Sequence, residues 1–355
     1  MQRLISFATL GVMGWLGWLF LDGGSLDLSA LSRGQQKSAS PLPSISQSSG
    51  SWPGQPSQQP VLQRQQPYQT TSTGENYAGP RPGLDGPTIR IASFNIQVFG
   101  NTKAGKPYVM QELAYIVNQF DVVAIQEIRS QNEYLIPNFV QLVNQSGRQF
   151  DHVIGPRLGI TTSKEQYVYL FDSQKIEIDP QSVYTVSDPD GLLHREPLVA
   201  TFRTRVDPKQ AFTFTLINMH TDPDLVAQEM DVMAEVYRVV RRSGRGEDDI
   251  ILLGDFNANE RQLGQLGQLP GIMPVIAGVW TNTRQNKQYD NIIIHQPSTT
   301  EYSGRSGVFD FMRYRNLSLQ QAVQVSDHFP VWAEFSAYER DAAGRIASRP
   351  GAYGR

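Results

Sequence analysis

Cysteine is absent from all 355 residues, which excludes disulfides, thiolate nucleophiles and cysteine-based zinc sites. It also excludes a lipoprotein-type anchor, which needs a cysteine to carry the lipid. An excess of charge of one sign is missing too: 31 Lys and Arg against 34 Asp and Glu leave a formal net charge of −3. A tight nucleic-acid binder carries a basic footprint that this chain lacks. An enzyme that meets phosphate through a metal ion does not need one. Histidine is scarce, with five in the chain: His152, His194, His220, His295 and His328. What is present is a hydrophobic content of 39%, enough for one sizeable catalytic domain with appendages.

The appendages lie first. Residues 4–21 read LISFATLGVMGWLGWLFL without a charge, a helix of roughly 27 Å against a hydrocarbon core of about 30 Å. Because the apolar run is long and no clear cleavage site follows it, residues 1–31 are expected to be a signal-anchor, with a cleaved signal peptide as the alternative. Arg3 before the span and Asp22 after it favour an N-in, C-out orientation, with the catalytic domain outside the cytoplasm. The alternative is secretion or a periplasmic location after cleavage. Residues 32–87 are rich in Ser, Gln, Pro and Gly and lack apolar periodicity, so they are expected to form a disordered linker. Residues 338–355 make a polar tail.

Residues 88–337 alternate strand and helix signals. Apolar runs at TIRIASF, DVVAIQE, YVYLF, LVATFR, FTFTLINM, DIILLGDF, YDNIII and FPVWAEF read as strands. MQELAYIVNQF reads as a helix. A second helix is expected from Asp222-Pro223, with Asp222 as cap and Arg241 and Arg242 in the last turn. This pattern predicts a mixed α/β sandwich whose sheets are covered by helices, with polar strand ends gathered at one edge.

Those strand ends carry the chemistry. In ILLGDFNAN, Asp255 and Asn257 lie two apart, so on an extended chain both heads share a face; an Asx-type turn is the alternative. In VSDHFPVW, Asp327 and His328 stand just before a strand. In LINMHTDPD, His220 ends one. A neutral imidazole takes a proton from water, and a cationic one gives a proton to a leaving oxygen. Glu165 is placed to orient His220, and Asp290 to orient His328. The two pairs would then push and pull across a scissile P–O bond. Glu127, with Asn95 or Asp327, offers the hard oxygen ligands that Mg²⁺ or Ca²⁺ prefers.

The ordered series SFNIQ, IQE, KEQY, HREP, NMHTDPD, GDFNAN, YDN and SDHFPV resembles the endonuclease/exonuclease/phosphatase superfamily, and within it the deoxyribonuclease I branch. The resemblance implies a four-layered α/β sandwich of two packed mixed β-sheets flanked by helices. It also implies metal-dependent endonucleolytic hydrolysis of DNA with low sequence specificity, by a monomer without an obligate protein partner. His220 then matches the general acid with Glu165, and His328 the base with Asp290. Glu127 and Asp327 match residues of the cation site, with Asn95 close by; the ion is Mg²⁺, with Ca²⁺ or Mn²⁺ as alternatives. Asp255 and Asn257 match residues that bind and polarise the phosphate. Arg129 matches an arginine of the minor groove, and Arg195 one that contacts phosphate. The family's aromatic residue before the KE pair is replaced by Ser163, which bears on DNA grip. Inositol-phosphate phosphatases and sphingomyelinases share the GD-N and SDH elements. The phosphatase form's Arg two residues after the motif Asn and its W-x-D-R segment are missing here. A binding domain without turnover is the third reading.

Overall fold

Residues 86–243 and 246–340 are described here, from a computed structural model. The expected anchor at 1–31, the linker up to residue 85 and the tail from residue 341 lie outside the described residues. Among the described residues, no helix is long and apolar enough to cross a membrane.

In chain order the strands are β1 (Thr88–Phe99), β2 (Val122–Ile128), β3 (Phe150–Ile154), β4 (Gln166–Asp172), β5 (Ile176–Ile178), β6 (Tyr184–Thr185) and β7 (Leu198–Thr204). They continue as β8 (Thr213–His220), β9 (Ile250–Asp255), β10 (Ile272–Pro274), β11 (Asp290–His295), β12 (Tyr302–Val308) and β13 (Val331–Ser336). The helices are α1 (Asn101–Ala104), α2 (Pro107–Val117), α3 (Leu135–Asn144), α4 (Val226–Arg241), α5 (Phe311–Tyr314) and α6 (Leu319–Val325).

One sheet has the order β12-β13-β1-β2-β4-β3. The other runs β10-β11-β9-β8-β7-β5, with β6 on β7. Only β1–β2 and β8–β9 pair in parallel among these strands, and each of those two connections contains helix, as a parallel crossover requires. Successive side chains on a strand point to opposite faces, and both faces of the central strands are covered. Phe214, Leu216, Ile251, Leu253, Ile292 and Ile294 face the other sheet, where they meet Ile91, Val122, Tyr169, Val331 and Phe335. Their sequence neighbours Ile217, Met219, Ile250, Leu252 and Ile293 face α4, against Met230, Met233, Ala234 and Tyr237. On the other side, Phe139 of α3 stands edge-on to Phe99 at 5.4 Å, and Phe311 of α5 lies 6.3 Å from Phe94. The result is the four-layered α/β sandwich. Its near-continuous apolar strands follow from burial on both faces.

Two local expectations change. The helix expected from Asp222 begins at Val226, and Leu225, not Asp222, stands at its N-cap position. Asp222 instead closes a turn, accepting from Asp224 N at 2.9 Å. Glu229 of the first helical turn folds back to accept from Asp222 N at 2.8 Å, which offers acceptor and negative charge where a cap would act. At the other end, Tyr338 bridges Ala211 and Glu339 is buried, so the packed chain runs past residue 337.

Candidate active site

Three adjacent strands bring three functional residues into one line. His220 at the end of β8 pairs with Asp255 at the end of β9, and Asp255 pairs with Asp290 at the start of β11. Gly254 permits this approach: its φ is +157°, and a Cβ there would stand 1.9 Å from the carbonyl oxygen of Met219. The facing sheet supplies the other half of the rim. Irregularities in the β1–β2 ladder, between Asn95 and Phe99, and in the β2–β4 ladder, between Ile125 and Ile128, aim Asn95 and Glu127 inward. Backbone strain gathers there: Gln97, Val98, Glu127 and Asn257 all have φ between +47° and +63°, and each such residue costs about 1–3 kcal/mol.

The two imidazoles are set by carboxylates and share a focus. His220 Nδ1 lies 2.7 Å from Glu165 Oε1, and His328 Nδ1 lies 2.8 Å from Asp290 Oδ2. Each Nε2 is 3.6 Å from the same oxygen, Asp255 Oδ2. The reactive nitrogens are therefore no farther apart than twice that distance, on either side of one carboxylate. Burial alone would raise Glu165. The hydrogen bond and charge of His220, then Arg195 and Arg129, outweigh it and hold the carboxyl below its ordinary value. Burial opposes charge on His220, but Glu165 and Asp255 lift it above the ordinary 6.5. Asp255 is lowered because, against burial, it answers to both imidazoles, to Asn257 N–H and to Asn95. His328 is pushed up to about 10: Asp290, Asp255 and Asp327 overcome its burial. Asp290 is raised to about 6 by burial and by Asp255, against the pull of His328. The proton of that pair rests on the imidazole.

Asn95 Nδ2 donates to Glu127 Oε1 at 3.2 Å and to Asp255 Oδ2 at 3.0 Å, and its oxygen accepts from Gln97 N at 2.8 Å. Asn95 thus links the cation-side carboxylate to the focus of the two histidines. Among the described residues, Asp327 Oδ1 is shielded from solvent without a hydrogen-bond partner, and Glu127 Oε2 receives Val98 N–H and the Arg129 guanidinium. Hard oxygens with spare lone pairs fit a divalent cation. A second set, Asp255, Asp290 and His328, also brings ligand atoms within 4.8 Å of one another.

The remaining expected residues are more engaged than the sequence suggests. Arg129 Nη1 donates to Ser163 Oγ at 2.8 Å, while Nη2 pairs with Glu127 at 3.1 Å and Nε approaches Glu165 at 3.6 Å. Ser163 therefore holds the arginine in place. Arg195 is buried, with Nε 3.0 Å from Glu165 Oε1 and Nη1 donating to His220 O. Asn257 does not continue the strand. Its φ is +47° and its N–H donates to Asp255 Oδ1 at 2.9 Å, so the Asx turn, not strand alternation, sets the spacing. Its side chain donates to Thr221 O at 3.0 Å.

Four partners escape sequence reasoning. Thr281 Oγ1 donates to Asp290 Oδ2 at 2.7 Å. Tyr167 OH receives His220 N–H at 2.9 Å. Lys103 Nζ donates to Ile96 O and to Val325 O, tying the loop after Asn95 to the segment before Asp327; burial lowers its pKa to about 8 despite Asp327 and Glu127. His194 Nδ1 sits 2.6 Å from Asp222 Oδ2, bracing the turn after His220. The residue before Arg195 and the Asp222 turn are the only signals of that pair. Tyr167 is marked only as the last residue of KEQY, and Thr281 and Lys103 leave no signal.

The pattern of the Endonuclease/Exonuclease/phosphatase family matches residues 92–328. Deoxyribonuclease gamma of Rattus norvegicus is 31% identical over 261 residues, covering 69% of this chain and 83% of that protein. Deoxyribonuclease-1-like 1 of Sus scrofa is 30% identical, covering 70% and 81%. Deoxyribonuclease gamma of Homo sapiens is 30% identical, covering 68% and 84%.

Proposed function

The chain belongs to the Endonuclease/Exonuclease/phosphatase family, in its deoxyribonuclease I-like branch, and we propose that it hydrolyses phosphodiester bonds of DNA with low sequence specificity. The observation that carries the reading is the pair of carboxylate-held histidines focused on Asp255 Oδ2. His328 takes the proton of the attacking water at Nε2, and Asp290 steadies the resulting imidazolium. His220, kept protonated by Glu165, gives its Nε2 proton to the leaving oxygen. Asp255 and Asn257 position the phosphate, Arg195 acts on it from behind Glu165, and Arg129 enters the minor groove, where width rather than sequence is read.

Glu127 and Asp327, with Asn95 beside them, would hold a divalent cation. When bound, it neutralises the phosphate and offsets the carboxylate field that keeps His328 protonated; Mg²⁺ is the reading, with Ca²⁺ or Mn²⁺ as alternatives.

The uncharged run at residues 4–21 supports placing this domain outside the cytoplasm on a membrane anchor, or released after cleavage, acting as a monomer without an obligate protein partner. Fractionation with and without external protease tests the placement; activity confined to the cytosol would overturn it. The activity is tested by incubating the protein with plasmid DNA, an inositol phosphate and sphingomyelin, each with Mg²⁺ and Ca²⁺. Nicked and linear plasmid is expected. Intact plasmid beside hydrolysis of either other substrate would overturn the reading.

A further inference from the structure

β7 and β8 part just where they reach the active site. Their antiparallel ladder runs from Arg203 opposite Thr213 to Leu198 opposite Asn218 and stops there. On its other edge β8 stays paired with β9 as far as His220. Four residues further along each strand, the same register would set His194 opposite Asp222. A buried carboxylate takes the place of that pairing. Glu229 of α4 is 2% exposed. Its Oε1 accepts from His194 N at 2.6 Å and its Oε2 from Asp222 N at 2.8 Å. Neither N–H belongs to α4, so the carboxylate ties together two segments outside its own helix. The His194 ring makes a second tie across the same gap, with Nδ1 2.6 Å from Asp222 Oδ2.

The opening of the ladder frees backbone groups that the site uses. In the same register Glu196 stands opposite His220, and alternate pairs of an antiparallel ladder exchange both of their hydrogen bonds. A closed ladder would therefore bond the N–H and C=O of His220 to Glu196. They are held by side chains instead. His220 N donates to Tyr167 OH at 2.9 Å, and His220 O accepts from Arg195 Nη1 at 3.2 Å. The same guanidinium places its Nε 3.0 Å from Glu165 Oε1, the oxygen that meets His220 Nδ1. One residue on, Thr221 O accepts from Asn257 Nδ2 at 3.0 Å. Arg195 and Asn257 thus both lean on backbone that the parted strands leave available.

We propose that Glu229 is a positioning residue whose carboxylate holds β7 and β8 apart at the rim, so that Arg195 reaches His220 O and Glu165 while Thr221 O stays turned to Asn257. Glu229 touches no reacting atom and acts through those groups. The inference rests on the hydrolytic reading of the site.

The experiment is a double-variant cycle on plasmid hydrolysis by the full-length protein with Mg²⁺ and Ca²⁺, using Glu229→Gln and Arg195→Ala. Glutamine keeps the shape but offers one acceptor oxygen where two N–H groups arrive. Glu229→Gln should lower kcat on the order of 10-fold, the scale on which groups that orient a functional side chain act. In the Arg195→Ala background it should lower kcat little further. Losses that simply add overturn the proposal, because a contribution to stability alone does not depend on Arg195; native kcat in Glu229→Gln overturns it as well. Should Glu229→Gln fail to fold, His194→Leu replaces it in the cycle, since it leaves the carboxylate and removes the other tie. It should give a smaller loss with the same dependence on Arg195, and additive losses again overturn the proposal. A native chain that hydrolyses nothing overturns the functional reading but not the open ladder, and amide exchange then decides. The N–H groups of His194 and Asp222 should exchange on the order of 10-fold faster in the variant than in the native chain, with residues 199–202 unchanged. Equal rates at His194 and Asp222 overturn the proposal.

Discussion

The two ends of the sandwich bury acids in opposite ways. At the catalytic end every buried carboxylate has a specific counterpart: Glu165 meets His220 and Arg195, Asp290 meets His328 and Thr281, and Asp255 meets Asn95, Asn257 N–H and both imidazoles. At the far end Asp249, before β9, stands beside Glu301, before β12, and Glu339, after β13, and their like charges add to its burial. Burial is the largest influence on Asp255 and Asp249 alike, yet the first ends below its ordinary value and the second at about 10. Depth does not decide whether a buried acid is ionised. The company it keeps does.

Breaking the catalytic end should give the largest effect. His220→Ala and His328→Ala should each lower kcat on plasmid DNA by about 10²–10⁴-fold, and the double variant should fall little further, because groups acting as a unit do not add. Both singles should remain folded at the assay temperature while unfolding earlier than the native chain, since each leaves a buried carboxylate without its partner; an active single variant would remove the acid–base assignment. Next comes Gly254→Ala, whose Cβ has no room beside Met219 O. It should cost about 1–3 kcal/mol in denaturant unfolding and disturb His220 and Asp255 together.

The paired end can then be read by pH. Glu165→Gln should lower kcat by about 10-fold, equivalent to about 1.4 kcal/mol, and move the basic limb of the kcat profile to lower pH. The sign follows from the two shifts. His220 is raised, so its share of stability is complete below 6.5 and is lost as pH rises through its folded value. Glu165 is lowered, so its share is complete above 4.5 and is lost as pH falls through its folded value. The destabilisation by Glu165→Gln should therefore peak between pH 4.5 and 6.5; a flat difference across that range would count against the pair. Thr281→Val should have the smallest effect. Its Oγ1 donates to the Asp290 carboxylate and accepts from Tyr289 N and Asp290 N, none of which reaches the reacting atoms, so kcat should fall several-fold with the basic limb unmoved.

Sequence carried the catalytic end and was silent on the far one, for a physical reason. His220 and Asp255 stand where apolar runs stop, and Asp290 and His328 where they begin, so period and composition mark them, and the strands that present them were legible for the same reason. β3 and β12 were not: FDHVI is half polar, and YSGRSGV carries two glycines that break any alternation. Thr281, Tyr167 and Lys103 act through hydrogen bonds that only the folded loops and strand ends create, with no periodicity to mark them. Glu247, Asp249, Glu301 and Glu339 read singly as solvated loop acids. Only the closure of two sheets brings them within reach of one another. The Asp222 misreading is of another kind, since Asp-Pro satisfies every rule for a helix start while Glu229 takes over from within the helix.

The left-handed backbone at Gln97, Val98, Glu127 and Asn257 has a consequence for anyone breeding this protein for heat tolerance. Glycine adopts those angles freely, so an unbiased thermal screen would be drawn toward the rim of the catalytic cleft and rewarded there for discarding side chains. The hardiest survivors would then be the idle ones, and the positions they had surrendered would trace the outline of the cleft.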